Sequence, residues 1–123
     1  MSARAACAAV LALAALLAAC GRSGASAGGV EGDPARGRIA LAQYGCQSCH
    51  MIKGVTGPRV YVGPSLEEFA QRKFIAGRIP NNHANLVRWI RNPQEFDPPT
   101  AMPALDVTQQ DASDMAAYLL TGQ

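Results

Sequence analysis

The sequence predicts an all-α domain of about four helices joined by long irregular loops. Three observations predict it. Helix-opening caps recur after residue 32, no alternating apolar and polar run of strand length appears, and a Pro-rich stretch late in the chain forbids regular structure there. The first helix opens at Asp33-Pro34, an acid able to accept from the free N–H groups of a first turn, followed by a residue whose fixed φ suits the first helical position. It runs to about Tyr44 with Ile39 and Leu41 among its apolar positions, and Gly45 ends it. Ser65-Leu66-Glu67-Glu68 matches a capping box and predicts a short second helix to about Lys73. A third is expected from about His83 to Arg91, capped by Asn81 or Asn82, presenting Leu86, Val87 and Ile90 with Trp89 and halted before Pro93. Pro93, Pro98, Pro99 and Pro103 exclude a helix or a central strand between 92 and 107. Thr108 and Asp111 make a second capping box in its Asp variant, starting a helix through Met115, Tyr118 and Leu119 to a stop at Gly122.

The beginning of the chain reads differently. Arg4 precedes an apolar stretch from Ala5 to Ala19, the pattern of an export signal. Leu17-Ala18-Ala19-Cys20-Gly21 fits a lipoprotein signal, with cleavage leaving Cys20 as a lipid-modified N-terminus. The competing cleavage follows Ala25-Ser26-Ala27 and would release a soluble protein, but Cys20 directly abuts the apolar run and Ala27 does not. An uncleaved anchor is disfavoured, because the run falls short of the ~20 residues that span a bilayer. The expected organisation is a signal over 1–19, the lipidated Cys20 with a flexible Gly/Ser/Ala linker over 20–32, and one domain over 33–123.

Charge excludes one class of partner. Eleven basic and nine acidic residues give a net charge of +2, with Arg4 inside the export segment, so no basic footprint for nucleic acid exists. Aromatic residues make up only 6% of a small chain, which therefore supplies little core of its own and would gain from a large apolar cofactor.

Cysteine usage says which cofactor. Cys7 lies in the signal and Cys20 is taken by the lipid, leaving Cys46 and Cys49 as the pair in the exported domain. Cys46-Gln47-Ser48-Cys49-His50 is the C-x-x-C-H pattern of covalent haem attachment. Two Cys three apart on a turn reach both vinyl groups along one haem edge, and the next residue, His50, points its imidazole at the iron. A zinc half-site would need two more ligands where only His83 and carboxylates are on offer. A thioredoxin-like redox pair would need a βαβ setting that the helical pattern lacks.

A six-coordinate iron needs a second axial ligand. Met1 leaves with the signal, Met51 adjoins His50 and cannot reach the opposite face, and Met115 lies in the last helix, where a core role suits it. Met102, in Thr100-Ala101-Met102-Pro103, sits on a loop able to cross the haem face and is the expected ligand. His83 is its rival and would give a lower potential, but its place among Asn81, Asn82 and Asn85 reads as a solvated helix start.

Together these residues resemble the class I cytochrome c family over essentially all of 33–122. The match comprises Cys46 to His50, Gly63-Pro64-x-Leu66, Asn85-Leu86-Val87-Arg88-Trp89-Ile90 leading into Pro93, and Met102-Pro103 nine residues beyond that Pro. The resemblance implies the class I cytochrome c fold around one haem c. It further implies that the Pro64 carbonyl accepts the second N–H of His50, that Trp89 packs on the haem near Met102, and that Gly37 and Tyr118 meet where the first and last helices cross. Leu41 stands where many relatives carry an aromatic, and Gly37 is one residue further from Cys46 than in the commonest pattern.

The expected function is one-electron transfer, without chemical change to any substrate, by a His/Met haem of relatively positive potential. Expected partners are a redox donor and acceptor, among them a terminal oxidase or another respiratory complex, met as a monomer held to a membrane on its periplasmic or outer side. With charge nearly balanced, apolar contact or the tether matters more than electrostatic steering. Two alternatives stay open: a haem c subunit of a larger oxidase or dehydrogenase, and a sensor or enzyme with an open iron position.

Overall fold

Three α-helices carry the fold: α1 (Pro34–Gln43), α2 (His83–Arg91) and α3 (Gln109–Thr121). The structure is a computed structural model described over residues 31–122. The signal, Cys20, the Ala27 cleavage alternative and most of the expected linker lie outside the described residues.

Each helix begins as its sequence dictates. Asp33 accepts from the N–H groups of Ala35 and Arg36 with Pro34 in the first turn. Asn82, rather than Asn81, caps α2 by accepting from Asn85. Thr108 accepts from the Asp111 N–H at 3.1 Å, while its own hydroxyl donates to the Asp111 carboxylate at 2.8 Å. Gly122, at φ +67°, closes α3 in the left-handed conformation that suits a Gly after a helix.

The last helix is the centre of the molecule. Every residue from Ala112 through Leu119 is buried, because α1 packs against one side of α3 and α2 against another. Helix α1 presents Gly37, Ala40 and Leu41, and α2 presents Leu86, Val87 and Ile90. Burying a Leu, Ile or Met side chain stabilises by ~1.5–3 kcal/mol, whereas an exposed pair such as Arg88 with Glu95 contributes ~0–1 kcal/mol. Packing therefore fixes the helix positions. At the crossing of α1 and α3 the small residues matter most: a Cβ on Gly37 would lie 2.0 Å from the Asp114 carbonyl oxygen.

Of the two apolar positions of α1, Leu41 is buried and Ile39 is half exposed. Two features depart from the sequence reading. The predicted helix after Ser65 shrinks to a 3₁₀ turn at Phe69–Gln71. Ser65 Oγ takes the N–H of Glu67 instead of Glu68, and Asn81 Nδ2 claims the carbonyls of Phe69 and Arg72, so the turn is not propagated. A minimal antiparallel hairpin pairs β1 (Phe74–Ile75) with β2 (Ile79–Pro80), with Ile75 opposite Ile79. Its turn places Ala76 and Gly77 at positive φ, and two-residue strands are too short to show an alternating pattern. Gly32, just before α1, is seated on α3, where a Cβ would lie 2.5 Å from the Ser113 carbonyl oxygen.

Candidate haem site

The site grows from the end of α1. Tyr44 caps the helix and Gly45, at φ +73°, turns the chain into a 3₁₀ turn over Cys46–Ser48. The N–H groups of Cys49 and His50 both donate to the Cys46 carbonyl, at 3.2 and 3.0 Å, so both sulfurs and the imidazole leave a single turn. Gln47 Nε2 donates to the Ala42 carbonyl at 3.2 Å and ties this turn to α1. Both Cys side chains are half-buried, and Cys46 packs against the hydrophobic core. Burial pushes the Cys46 thiol up, outweighing a backbone hydrogen bond that lowers it, and the neighbouring Cys49 adds to the rise. The pocket thus favours a neutral sulfur over a thiolate, and a thioether is neutral.

His50 is held from one side. Its Nδ1 lies 2.8 Å from the Pro64 carbonyl oxygen, and since a carbonyl only accepts, Nδ1 carries the proton and Nε2 is left with its lone pair. The Pro64 segment is strapped in place by Gly63 N–H to the Cys49 carbonyl and Leu66 N–H to the Met51 carbonyl, each at 2.8 Å. A Cβ on Gly63 would lie 2.3 Å from His50 Cε1, so the backbone itself forms the wall against the ring. Sequence reasoning took Gly63 only as part of a resemblance. The sign of its role was a Gly directly before the Pro that orients His50.

The remaining candidates sit on other elements. Met102 is half-buried on the Pro-rich loop, its carbonyl accepting from Gln94 Nε2 at 2.8 Å and its N–H reaching Thr100 Oγ1 at 3.4 Å. Trp89, on α2, is half-buried against the core, with its ring 6.4 Å from that of Phe96 at the base of the same loop. Met51 shares a recess with His50. Met115 is fully buried in α3. His83 is not the solvated residue expected: its Nε2 donates to the Ser113 carbonyl at 3.1 Å, with Ser113 Oγ at 3.3 Å, so α2 docks on α3 through it. Gly37 makes its closest approach to α3 at the Asp114 backbone, and Tyr118 donates to the Lys53 carbonyl at 2.6 Å beside Gly54.

These residues fit a covalently held haem. Two sulfurs leave one turn at the attachment spacing, burial favours the neutral form of Cys46, and the adjacent imidazole has Nδ1 engaged and Nε2 available for a metal.

Comparison with known proteins decides the family: the model of the cytochrome c family matches residues 34–123. The chain belongs to the cytochrome c family. It is a haem c electron-transfer protein, and Cys46 and Cys49 fit the attachment motif of the covalent cofactor. Cytochrome c oxidase subunit 2 of Alkalihalophilus pseudofirmus is 38% identical over 85 residues, 68% of this chain and 24% of that protein. The subunit of the same name from Bacillus sp. strain PS3 is 26% identical over 86 residues, covering 67% of this chain and 24% of its own length. This cytochrome chain thus spans about a quarter of the length of these curated relatives. The solved cytochrome c2 of Rhodobacter sphaeroides aligns over 74% of this chain and 96% of its own, with a TM-score of 0.52 and 21% identity, a likeness of fold. The all-α class I cytochrome c fold is therefore the fold of this chain.

Proposed function

We propose that this cytochrome is a one-electron carrier whose haem is held by thioethers at Cys46 and Cys49, with His50 and Met102 as axial ligands, and that it exchanges electrons with a terminal oxidase. The observation that carries the reading is the His50 Nδ1 to Pro64 hydrogen bond of 2.8 Å, which fixes the tautomer and leaves the Nε2 lone pair for a metal. When bound, haem c supplies a ferrous/ferric couple. His50, oriented by Pro64, and Met102 would hold the iron, the Met102 thioether would favour the ferrous state and raise the potential, and Trp89 would pack against the group near that loop. No chemical step on a substrate is needed, so the reading is a carrier and not an enzyme. The oxidase partner is supported by the relatives named as oxidase subunit 2.

Export and attachment to a membrane through lipid on Cys20, with the domain on the periplasmic or outer side, complete the proposal. Mass spectrometry of the intact N-terminus tests that part: lipid on Cys20 supports it, and a chain beginning at Gly28 overturns it.

The ligand set is tested by optical spectra of the haem-loaded protein and its Met102→Ala variant. A weak far-red sulfur-to-ferric band in the wild type, lost in the variant while covalent haem remains, supports Met102. Absence of the band together with ready carbon monoxide binding by the reduced protein would sink the carrier reading in favour of an open-site sensor or enzyme. A second reading, a haem c subunit resident in a larger oxidase, is favoured by the alignment with a quarter of an oxidase subunit. Stable co-purification with oxidase polypeptides would select it.

A further inference from the structure

The loop that carries Met102 has little backbone bonding of its own. Pro93, Pro98, Pro99 and Pro103 have no N–H to donate. Among the described residues, its backbone bonds end with Thr100 N–H to the Asp97 carbonyl, and the next such bond downstream is Ala112 N–H to the Thr108 carbonyl. Between those points the Met102 backbone is held by side chains. Gln94 Nε2 donates to its carbonyl at 2.8 Å in a partly buried setting, while Thr100 Oγ1 lies 3.4 Å from its N–H, a long and weak contact.

Gln94 is anchored where Met102 is not. It occupies the 3₁₀ turn at Pro93–Glu95, immediately after α2. Pro93 is fully buried, and α2 is locked into the core by Leu86, Val87 and Ile90. The 2.8 Å bond is thus a strut from a rigid element to the one loop residue whose position the iron would sense.

We infer that Gln94 is a positioning residue for Met102: its side-chain amide sets where the thioether stands and resists its withdrawal from the iron. The inference rests on the proposal that Met102 is the axial ligand. A partly buried neutral hydrogen bond is worth roughly a factor of 2–10 in an equilibrium, so its loss shifts the balance between Met102 and a competing ligand by about that factor.

The test uses the haem-loaded ferric protein titrated with imidazole, with the far-red band and the reduction potential recorded in parallel. Gln94→Glu keeps the size and removes the donor. Gln94→Ala removes both and serves if the Glu variant does not accumulate. Gln94→Arg keeps donors of sufficient reach and cannot bind iron. The expected result is that imidazole binds Glu and Ala variants roughly 2–10 times more tightly than wild type, with a weakened band and a lowered potential, and that Arg restores wild-type behaviour. Unchanged imidazole affinity and potential in the donor-less variants overturn the inference, as does an Arg variant no better than Ala. If wild type already lacks a band that depends on Met102, the ligand assignment fails and the inference falls with it; the wild type alone reveals that case.

Discussion

The carboxylate of Asp114 accepts the backbone N–H of Asp33 at 2.7 Å, joining the residue that caps α1 to the middle of α3. The same carboxylate takes Arg36 Nε at 2.8 Å, Arg36 NH2 at 3.2 Å and Gln110 Nε2 at 3.0 Å, although its side chain is only 2% exposed. A buried carboxylate is tolerated when its lone pairs are filled, and here four donors fill them. Gly32 lies flat against the same stretch of α3, so the chain enters the domain at a fixed point.

Acid stability follows from that group. Burial pushes the Asp114 carboxyl up, but the hydrogen bonds from Arg36, Asp33 and Gln110 together outweigh it, and its pKa falls below the ordinary 3.8. A carboxyl depressed by folding stabilises at pH above its unfolded value, and that stabilisation is lost as pH falls through the folded value. Asp114→Asn should therefore destabilise the haem-loaded protein by about 1–2 kcal/mol at neutral pH, the modest end of the range because Arg36 stays largely solvated. The difference should shrink below pH 3.8. Denaturant titrations at pH 7 and in the acid range check it, and a pH-independent difference would count against the assignment.

Gly37→Ala sets two effects against each other. Ala gains about 1 kcal/mol of helix propensity over Gly in a helix interior. Against this, its Cβ would lie 2.0 Å from a backbone oxygen of α3, a clash that no rotamer change relieves. Overpacking typically costs ~1–3 kcal/mol, and contact with backbone places this site at or above the upper end. The expected outcome is a net loss of about 2 kcal/mol or more, read as a Tm lower by at least roughly 8–16 °C for a domain of this size. A Tm at or above wild type would show that the helices separate without strain.

Much of the architecture was legible because it is locally encoded. Asp33-Pro34, Thr108 with Asp111, and Gly122 each satisfy backbone groups a few residues away, so their geometry follows from sequence neighbours alone. The helix after Ser65 was misread for the opposite reason. Asn81, distant in sequence, captures the Phe69 and Arg72 carbonyls, and no local pattern announces that. The site divides similarly: Cys46, Cys49 and His50 share one turn and are plain in the sequence. The Gly63 wall, the dock of His83 on Ser113 and the Gln94 strut depend on segments meeting in space.

Tyr118→Phe tests a tie between α3 and the segment that follows the attachment turn. The Tyr118 hydroxyl donates to the Lys53 carbonyl at 2.6 Å in a partly buried position. Removing it leaves that carbonyl to water, for an expected loss of about 0.5–1.5 kcal/mol. Because Lys53 lies three residues after His50, the haem spectrum should stay unchanged while stability falls. A shifted spectrum at full stability would mean that the tie acts on the ligand and not on the fold.

Gly63→Ala strikes the imidazole of His50, the proposed iron ligand, through its wall. The new Cβ would lie 2.3 Å from His50 Cε1 and 2.6 Å from Nδ1, so either the ring tilts or the 63–66 strap withdraws. Both responses lengthen the 2.8 Å bond from Nδ1 to the Pro64 carbonyl. That bond makes the imidazole a stronger electron donor by holding partial negative charge against its N–H, and changes to such partners of a ligand typically alter affinity or activity by 10–100-fold. A weakened bond would make His50 a poorer donor to ferric iron, so the reduction potential should rise. Spectroelectrochemistry of the haem-loaded variant reads it. If the potential matches wild type while covalent haem is retained, the close approach of Gly63 is only a packing contact, and the orientation of His50 is set by the attachment turn alone.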